Sequence, residues 1–542
     1  MKTSRTHAIV AVMASLAIGL SFASASAAEP VRAPLSKESA RPNFVVIQTD
    51  DQTVQDLVVM PAVKKLLAER GTNFTQMMTP FAICCPSRAA MMSACYPHNN
   101  KVNANFPPDG GYGVWEKYNG TKFVGSWLKN AGYHTAHIGK YINGYGYMNN
   151  PKAKTPQGWS EWHGSTDLST YQMWGYRLNQ PTGSKKYGNF NVKNPKYYST
   201  DVYRSIAQKI ITDQADKSDP FYLQVAFLAP HIETKPLKMT LSKQAALALA
   251  DVDDPDASSP IQSMPPRPAP RHEKLLKDMK LEMDPSYNEL DVSDKHPFIQ
   301  ALPLIDAEKN QDLIDDNRQR RQSLLAVDEA VNGIVKTLAK TGQLDNTYIV
   351  FVGDNGYVLG QHRISKGKYF PYEPALNIPF MMAGPGIKQG AIVDQMVTLM
   401  DITPTILDLA NVKPTGRVPD GISLRDVLFN GTPIVNRTLL LSSGPQNAPS
   451  GQPLPLFDGV RNARYSYWKY QDGFEELYDR SIDPYEMESV ANDPKYAQVK
   501  AALWAEWNVL KDCAGLTCQV PSAVIPQPTK GLFPLATSRS SQ

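Results

Sequence analysis

Three short apolar runs in this chain break off abruptly into polar residues capable of chemistry, and that repeated form restricts the fold more than any other feature. NFVVIQ (43–48) runs into Thr49-Asp50-Asp51-Gln52, FYLQVAF (221–227) into Leu228-Ala229-Pro230-His231, and YIVFV (348–352) into Gly353-Asp354-Asn355-Gly356. Continuous apolar runs of this length, rich in β-branched and aromatic residues, are predicted to be strands buried on both faces. A weaker run, 133–138, leads into Gly139-Lys140. Helical patterns lie between the strands, the clearest over 318–340, with Leu324, Val327, Val331, Val335 and Leu338 on one face and Gly342 as its stop. Strands alternating with helices over several hundred residues predict an α/β sandwich on a mostly parallel sheet. Ligands of such sheets bind beyond the carboxyl ends of the strands, where the acids, His231 and Lys140 all fall.

At 542 residues the chain exceeds one ordinary core. Residues 40–430 are expected to form the large domain and 431–542 a smaller C-terminal part. Within the latter, 438–486 alternates apolar and polar residues around Tyr465, Tyr467, Tyr470 and Tyr478, the pattern of a small antiparallel sheet. Residues 235–303 hold Pro265-Pro266-Arg267-Pro268-Ala269-Pro270 and little periodicity, so they are expected to run as a long excursion that shapes a pocket. Met1 to Ala27 has a basic start, an apolar middle and a small-residue Ala25-Ser26-Ala27 end, the form of a cleaved signal peptide. Its apolar run is too short for a stable membrane anchor, so the protein is expected to be exported, to a periplasm or outside the cell. The formal net charge is only +4, and Lys2 and Arg5 belong to the signal segment, so nothing suggests a nucleic-acid partner.

Five cysteines are too few for a disulfide scaffold. Cys513 and Cys518 are close enough to close a small disulfide loop in an oxidising compartment. The other three lie in or near Cys84-Cys85-Pro86-Ser87-Arg88, which continues as Ala89-Ala90-Met91-Met92-Ser93-Ala94. This stretch sets a thiol, a hydroxyl and a guanidinium at the start of a helix, where unpaired N–H groups and the dipole favour an anion. Pro86 fits the first helical position, and Arg88 can fork onto two oxygens of a tetrahedral oxyanion. The bland alternative makes Cys84 and Cys85 buried apolar residues. Adjacent cysteines lack the spacing of a zinc-chelating pair or of a redox C-x-x-C. Asp50, Asp51, Asp354 and Asn355 are ordinary turn residues taken separately, but meeting at one place they would suit a hard divalent cation.

In their order these motifs resemble the secreted type I sulfatases, the formylglycine-dependent family. The pentad fits C-x-P-S-R, and Asp50-Asp51, Gly139-Lys140, Pro230-His231, Asp354-Asn355-Gly356, Gly360-Gln361-His362, Lys368, Tyr372-Glu373 and Gly384-Pro385-Gly386 stand in the family's succession between Pro42 and about Ala491. The resemblance implies an alkaline-phosphatase-like fold and a sulfuric ester hydrolase acting on a sulfated sugar or aryl sulfate. It implies that a formylglycine-generating enzyme converts Cys84, not Cys85, to formylglycine. The hydrated aldehyde would attack sulfur and later release sulfate by collapsing back to the aldehyde. By the same carry-over Asp50, Asp51, Asp354, Asn355 and the modified Cys84 meet a calcium ion, with magnesium the weaker fit. Asp354 serves as base, Arg88 supports the nucleophile, Lys140 and Lys368 bind sulfate oxygens, and His231 protonates the leaving alcohol.

One departure matters. Many members carry a histidine two residues after the lysine that matches Lys140, whereas this chain has Ile142. Its Lys140-Tyr141-Ile142-Asn143 resembles the N-acetylglucosamine-6-sulfatase branch, which implies that Asn143 orients either the diol or the substrate. His137 and His362 then stand as candidates for the base of sulfate release, and His362 also as a substrate contact. Two alternatives remain open at this point: a phosphonate or phosphate ester hydrolase on the same scaffold, and an exported protein that binds sulfated glycans without cleaving them.

Overall fold

The computed structural model describes residues 41–147, 150, 152–236, 263–445 and 454–529. The signal segment expected at 1–27 and residues 237–262 of the expected excursion lie outside them.

Strand β1 (Asn43–Thr49) shows why the apolar runs are continuous. Val45 and Ile47 enter the core on one side of the sheet, and Phe44 and Val46 enter the core on the other. With a side-chain period of two and both faces covered, most positions are apolar, and the few polar ones, such as Gln48, are buried with them. The same holds for β3 (His134–Gly139), β7 (Phe221–Ala226) and β8 (Thr347–Gly353). They share a ten-stranded sheet with β2 (Gly71–Phe74), β4 (Glu161–Ser165), β5 (Arg177–Gln180), β6 (Gly183–Lys186), β9 (Phe380–Ala383) and β10 (Ala391–Val393), in the order β10-β2-β9-β8-β1-β7-β3-β4-β5-β6. The four strands foreseen in the sequence are its parallel centre, β8-β1-β7-β3. Thr49 pairs with Gly353, Gln48 with Ala226, and Gly139 with the same Ala226, so the carboxyl ends finish level with one another.

Helix α1 (Cys84–Ser93) covers one face, burying Cys85, Ala89 and Met92. Helices α2 (Ser199–Asp213) and α3 (Ala307–Lys340) cover the other, with Ile210, Ile211, Leu324, Val327, Val331 and Leu338 inside. Helix α3 begins well before residue 318, capped by the Asp306 side chain, which accepts the Lys309 N–H at 2.8 Å. Apolar periodicity understates it because its buried side there includes polar Asn317, Arg320 and Arg321. Arg320 reaches the backbone carbonyls of Asp51 and Pro230, while Arg321 pairs with Asp56 at 3.0 Å. A second, antiparallel sheet is built from β11 (Leu439–Ser442), β12 (Phe457–Arg461), β13 (Tyr465–Tyr470) and β14 (Glu475–Asp479). Its aromatic residues alternate between two clusters, Tyr465 and Tyr467 in one, Trp468 and Tyr470 in the other. The fold is therefore an alkaline-phosphatase-like α/β sandwich with a small antiparallel sheet towards its C-terminus.

Of the expected excursion, residues 263–303 are described and are largely irregular. They are pinned by buried charge: Arg267 donates to both Glu233 carboxylate oxygens, at 2.7 and 2.8 Å.

Candidate active site

The level strand ends bring the charged residues to one place. Asp50 and Asp51 leave β1, Lys140 follows β3, His231 lies in the turn after β7, and Asp354 and Asn355 follow β8. All are buried, with Asp50, Asp51, Asp354 and Asn355 fully inaccessible. Asp51 holds a positive φ of 64°, an uncommon conformation for a non-glycine residue, at the point where the chain turns away from the sheet.

Helix α1 supplies the remaining groups. It starts one residue after extended Ile83, so Cys84 is its first residue and Pro86 its third rather than its first. Proline is tolerated there because the N–H of the first turn has no helical acceptor. Cys84 Sγ lies 3.4 Å from Asp50 Oδ1 and 3.1 Å from Lys368 Nζ. Burial and then the Asp50 carboxylate push this thiol well above its ordinary range, so as a cysteine it is neither a ready nucleophile nor a good ligand. Cys85 points away into the core, its N–H bonded to Asn105 Oδ1 at 3.0 Å. Arg88 binds Asp354 Oδ2 through Nε at 2.8 Å and the Lys140 carbonyl at 2.8 Å, and stands 3.3 Å from Asp50 Oδ2. It is a brace between three strand ends.

The ammonium groups neutralise the acids. Lys140 Nζ is 2.5 Å from Asp50 Oδ2, and Lys368 Nζ 2.7 Å from Asp51 Oδ1. Burial alone would raise both carboxyls, but Lys140 acting on Asp50 and Lys368 acting on Asp51 reverse this, and both are held below the usual carboxylate range. Lys366, in the same loop as Lys368, pairs with Asp316 instead. His231 Nδ1 meets the Ile232 carbonyl at 2.7 Å, which fixes that nitrogen as donor and turns Nε2 towards Asp51 Oδ2, 3.6 Å away. Burial depresses the imidazole, and the nearby Asp51 and Asp50 charges oppose that.

The donor set fits a hard cation. Asp51 Oδ2 and Asn355 Oδ1 are buried oxygens without hydrogen-bond partners, and Asp50 Oδ2 is met only by the Lys140 and Arg88 cations. Ligand atoms of Asp50, Asp51, Cys84 and His231 lie within 4.8 Å of one another. Carboxylate and amide oxygens converging in this way suit calcium or magnesium, and a thiol among them does not. Asp354 is placed differently from its expected role as base. Its Oδ1 accepts the Asp51 and Asn355 N–H groups at 3.1 and 2.8 Å and its Oδ2 accepts from Arg88, so the carboxylate that meets Cys84 Sγ is Asp50.

Two histidines named from the sequence lie elsewhere. His137 sits inside β3 and stacks on Trp162 at 4.8 Å, and burial pushes it down to about 3. His362 Nδ1 is 2.6 Å from Glu289 Oε2 and its ring is 4.1 Å from that of Tyr372; the charges that act on it are Lys295, Glu486, Asp284 and Asp294, none of the strand-end cluster. The expected roles of His362, as base of sulfate release or as substrate contact, stay proposals, with Nδ1 engaged by Glu289. Asn143 is beside the cluster: its Nδ2 donates to Tyr171 Oη at 2.9 Å. Tyr171 itself was not foreseen. Its ring lies 4.7 Å from Lys140 Nζ and 5.2 Å from the His231 ring, yet it belongs to a short 3₁₀ turn with no motif or periodicity to mark it.

A buried, oxygen-rich site braced by three cations at the carboxyl ends of this sheet defines a hydrolase of tetrahedral oxyanion esters on the alkaline-phosphatase-like fold. Residues 42–412 match the Sulfatase family model, and residues 360–512 match the model described as N-sulphoglucosamine sulphohydrolase, C-terminal. The chain belongs to the sulfatase family, and it is an enzyme that hydrolyses sulfuric esters. It is 30% identical to an arylsulfatase of Volvox carteri over 533 residues, covering 90% of this chain and 77% of that one. It is 28% identical to the N-acetylglucosamine-6-sulfatase of Homo sapiens, covering 90% of this chain and 87% of the relative. A solved structure holding its substrate D-glucosamine-2-N,6-O-disulfate superposes with a TM-score of 0.68 at 21% identity, over 88% of this chain and 98% of that one.

Proposed function

We propose that this sulfatase cleaves the sulfate monoester of a sulfated sugar, using formylglycine made from Cys84 and a calcium ion held by Asp50, Asp51, Asp354 and Asn355. The observation that carries the reading is Cys84 Sγ held between Asp50 and Lys368, beside the unpartnered buried oxygens Asp51 Oδ2 and Asn355 Oδ1. Formylglycine supplies a hydroxyl nucleophile that is regenerated each turnover, and the metal supplies positive charge towards the sulfate.

This chain's own residues do the rest. Lys140 and Lys368 carry the charge that meets the sulfate oxygens, in a site whose burial excludes water and strengthens each contact. Arg88 fixes Asp354 against the strand ends and keeps its carboxylate from turning. His231, anchored through Nδ1, presents Nε2 for the proton that the leaving alcohol takes. A sugar rather than a simple aryl ester is favoured by Asn143, whose amide stands next to the site, and by the N-acetylglucosamine-6-sulfatase relative. Export, with maturation by a formylglycine-generating enzyme, is supported by the N-terminal sequence and by the Cys513–Cys518 disulfide. No described helix is long and apolar enough to cross a membrane.

The test is mass spectrometry of the peptide containing residue 84 in active protein, with turnover of 4-nitrophenyl sulfate and phosphate measured in parallel. An aldehyde at residue 84 and faster sulfate turnover are expected. An unmodified cysteine in fully active protein sinks the formylglycine assignment. Faster phosphate turnover makes the enzyme a phosphate or phosphonate ester hydrolase, and glycan binding without turnover of either ester makes it a binding protein.

A further inference from the structure

Next to Lys140 and His231 lies a second group of buried polar side chains, which takes no part in the proton and charge transfers above. Tyr171 lies against both Lys140 and His231, and its hydroxyl accepts from Asn143 Nδ2 at 2.9 Å. The residue after Asn143, Gly144, donates its N–H to Asp167 Oδ2 at 2.7 Å. Asn143 and Asp167 are only 4% and 2% exposed, so both are shut away from bulk water. Each nevertheless keeps one oxygen, Asn143 Oδ1 and Asp167 Oδ1, without a hydrogen-bond partner.

Buried polar atoms are ordinarily paired, because an unmet one forfeits its hydration with nothing in return. Asp167 is the sharper case. It has no ion pair among the described residues; burial raises its carboxyl to about 6, and the Gly144 N–H and the more distant Lys140 charge only partly offset that. Its neighbour across the site, Asp50, has an ammonium at 2.5 Å. Two buried oxygens that can only accept, on side chains linked through the Gly144 N–H, define the missing partner of each as a hydrogen-bond donor.

Building on the sulfated-sugar reading, we propose that Asp167 and Asn143 form the subsite for the alcohol part of the substrate, receiving hydrogens from a hydroxyl or a protonated amine on the sugar ring. The placement suits that role. Tyr171 links His231, the residue assigned to the leaving oxygen, and Lys140 to Asn143, and the Gly144 N–H links the residue after Asn143 to Asp167, so a sugar held at His231 would have both oxygens within a short chain of contacts. Asp167 is a specificity residue rather than a catalytic one. An aryl leaving group, which offers no donor, would leave both oxygens unmet.

The experiment compares Asp167→Asn and Asn143→Ala with the native enzyme on three esters: glucosamine 6-sulfate, glucose 6-sulfate and 4-nitrophenyl sulfate. Asp167→Asn retains an oxygen for the Gly144 N–H and so removes charge without removing the turn's acceptor. The ratio of kcat/KM for sugar sulfate over aryl sulfate is expected to fall by about tenfold or more, the loss of one hydrogen bond to a charged group. A larger fall for glucosamine 6-sulfate than for glucose 6-sulfate assigns the donor as the ammonium, and equal falls assign it as a hydroxyl. A merely structural role would lower all three esters by one common factor, and that result overturns the proposal. If Asp167→Asn does not fold, the ratio for Asn143→Ala decides. Binding of the desulfated sugars glucosamine and glucose, followed by calorimetry, tests the subsite apart from turnover. Equal affinity in the native protein and both variants overturns it even if the sulfatase reading stands, whereas failure of the native enzyme to cleave any of the three esters counts against the sulfatase reading.

Discussion

Asp50 at the end of β1 and Glu476 in β14 are both completely buried carboxyls, and their surroundings send them in opposite directions. Burial alone would raise both. At Asp50 it is overcome by Lys140, His231, Arg88 and Lys368, which hold the group ionised. Glu476 meets neutral donors: the His296 N–H at 2.8 Å and the hydroxyls of Tyr478, Tyr470 and Tyr372 at 2.9, 3.2 and 3.3 Å. These only partly offset burial, and the carboxyl is pushed up to about 7. What separates a reactive cluster from a structural polar anchor here is the charge of the nearest partners rather than depth.

The widest separation between the two regions should come from Cys84. Cys84→Ala is expected to lower kcat by at least about 10⁴-fold while leaving the fold intact, because the nucleophile is lost outright. The adjacent Cys85→Ala, in the core, should keep turnover and lower stability by about 1–2 kcal/mol in urea unfolding. A reversed outcome would show that the wrong thiol has been placed in the cluster.

Lys368→Met removes the cation that serves both Asp51 and Cys84, and a fall in kcat of about 10²–10³-fold is expected, as for other preorganised charges. Unchanged kcat with a raised KM would instead make Lys368 a contact of the ground state alone. Removing divalent metal with a chelator should lower stability by about 3 kcal/mol relative to protein with metal at about 100 times its Kd. Hydrogen exchange would locate the effect. The loops after β1 and β8 should lose protection while 439–479 stays as it was, and equal loss in both regions would dissolve the contrast.

The smallest effect concerns Glu476 and carries a definite sign. Its folded pKa, about 7, lies above the ordinary 4.5, so the folded state binds the extra proton. The stabilisation is complete below pH 4.5 and is lost as the pH rises through about 7. Glu476→Gln should therefore remove a stability decline on the order of 3 kcal/mol across that window, read from urea midpoints at several pH values. An undiminished slope would mean that Glu476 is ionised like Asp50, and the comparison would fail.

Much of the buried charged cluster is legible in the amino-acid sequence, for a physical reason. Strands buried on both faces are apolar at most positions, so each announces where it stops, and parallel packing then sets those stops side by side. Asp50, Asp51, Lys140, His231, Asp354 and Asn355 stand out in that way. Periodicity fails where buried faces are polar, as in the early turns of α3, whose Arg320 and Arg321 are inside because carbonyls and Asp56 await them. It also fails for Asp167 and Tyr171, which the path of a loop brings to the site.

The sequence by itself determined the sandwich, the central parallel strands, a helix starting within the Cys84–Arg88 stretch and the family to which the chain belongs. All of these follow from local periodicity or from short motifs whose residues act near one another in the chain. Only the tertiary structure decided which cation meets which acid, that Arg88 occupies Asp354, that His362 is bound to Glu289, and that Asp167 and Asn143 keep buried oxygens bare. Those outcomes depend on distances between atoms far apart in sequence, where electrostatics and desolvation act through space and leave no periodic trace along the chain.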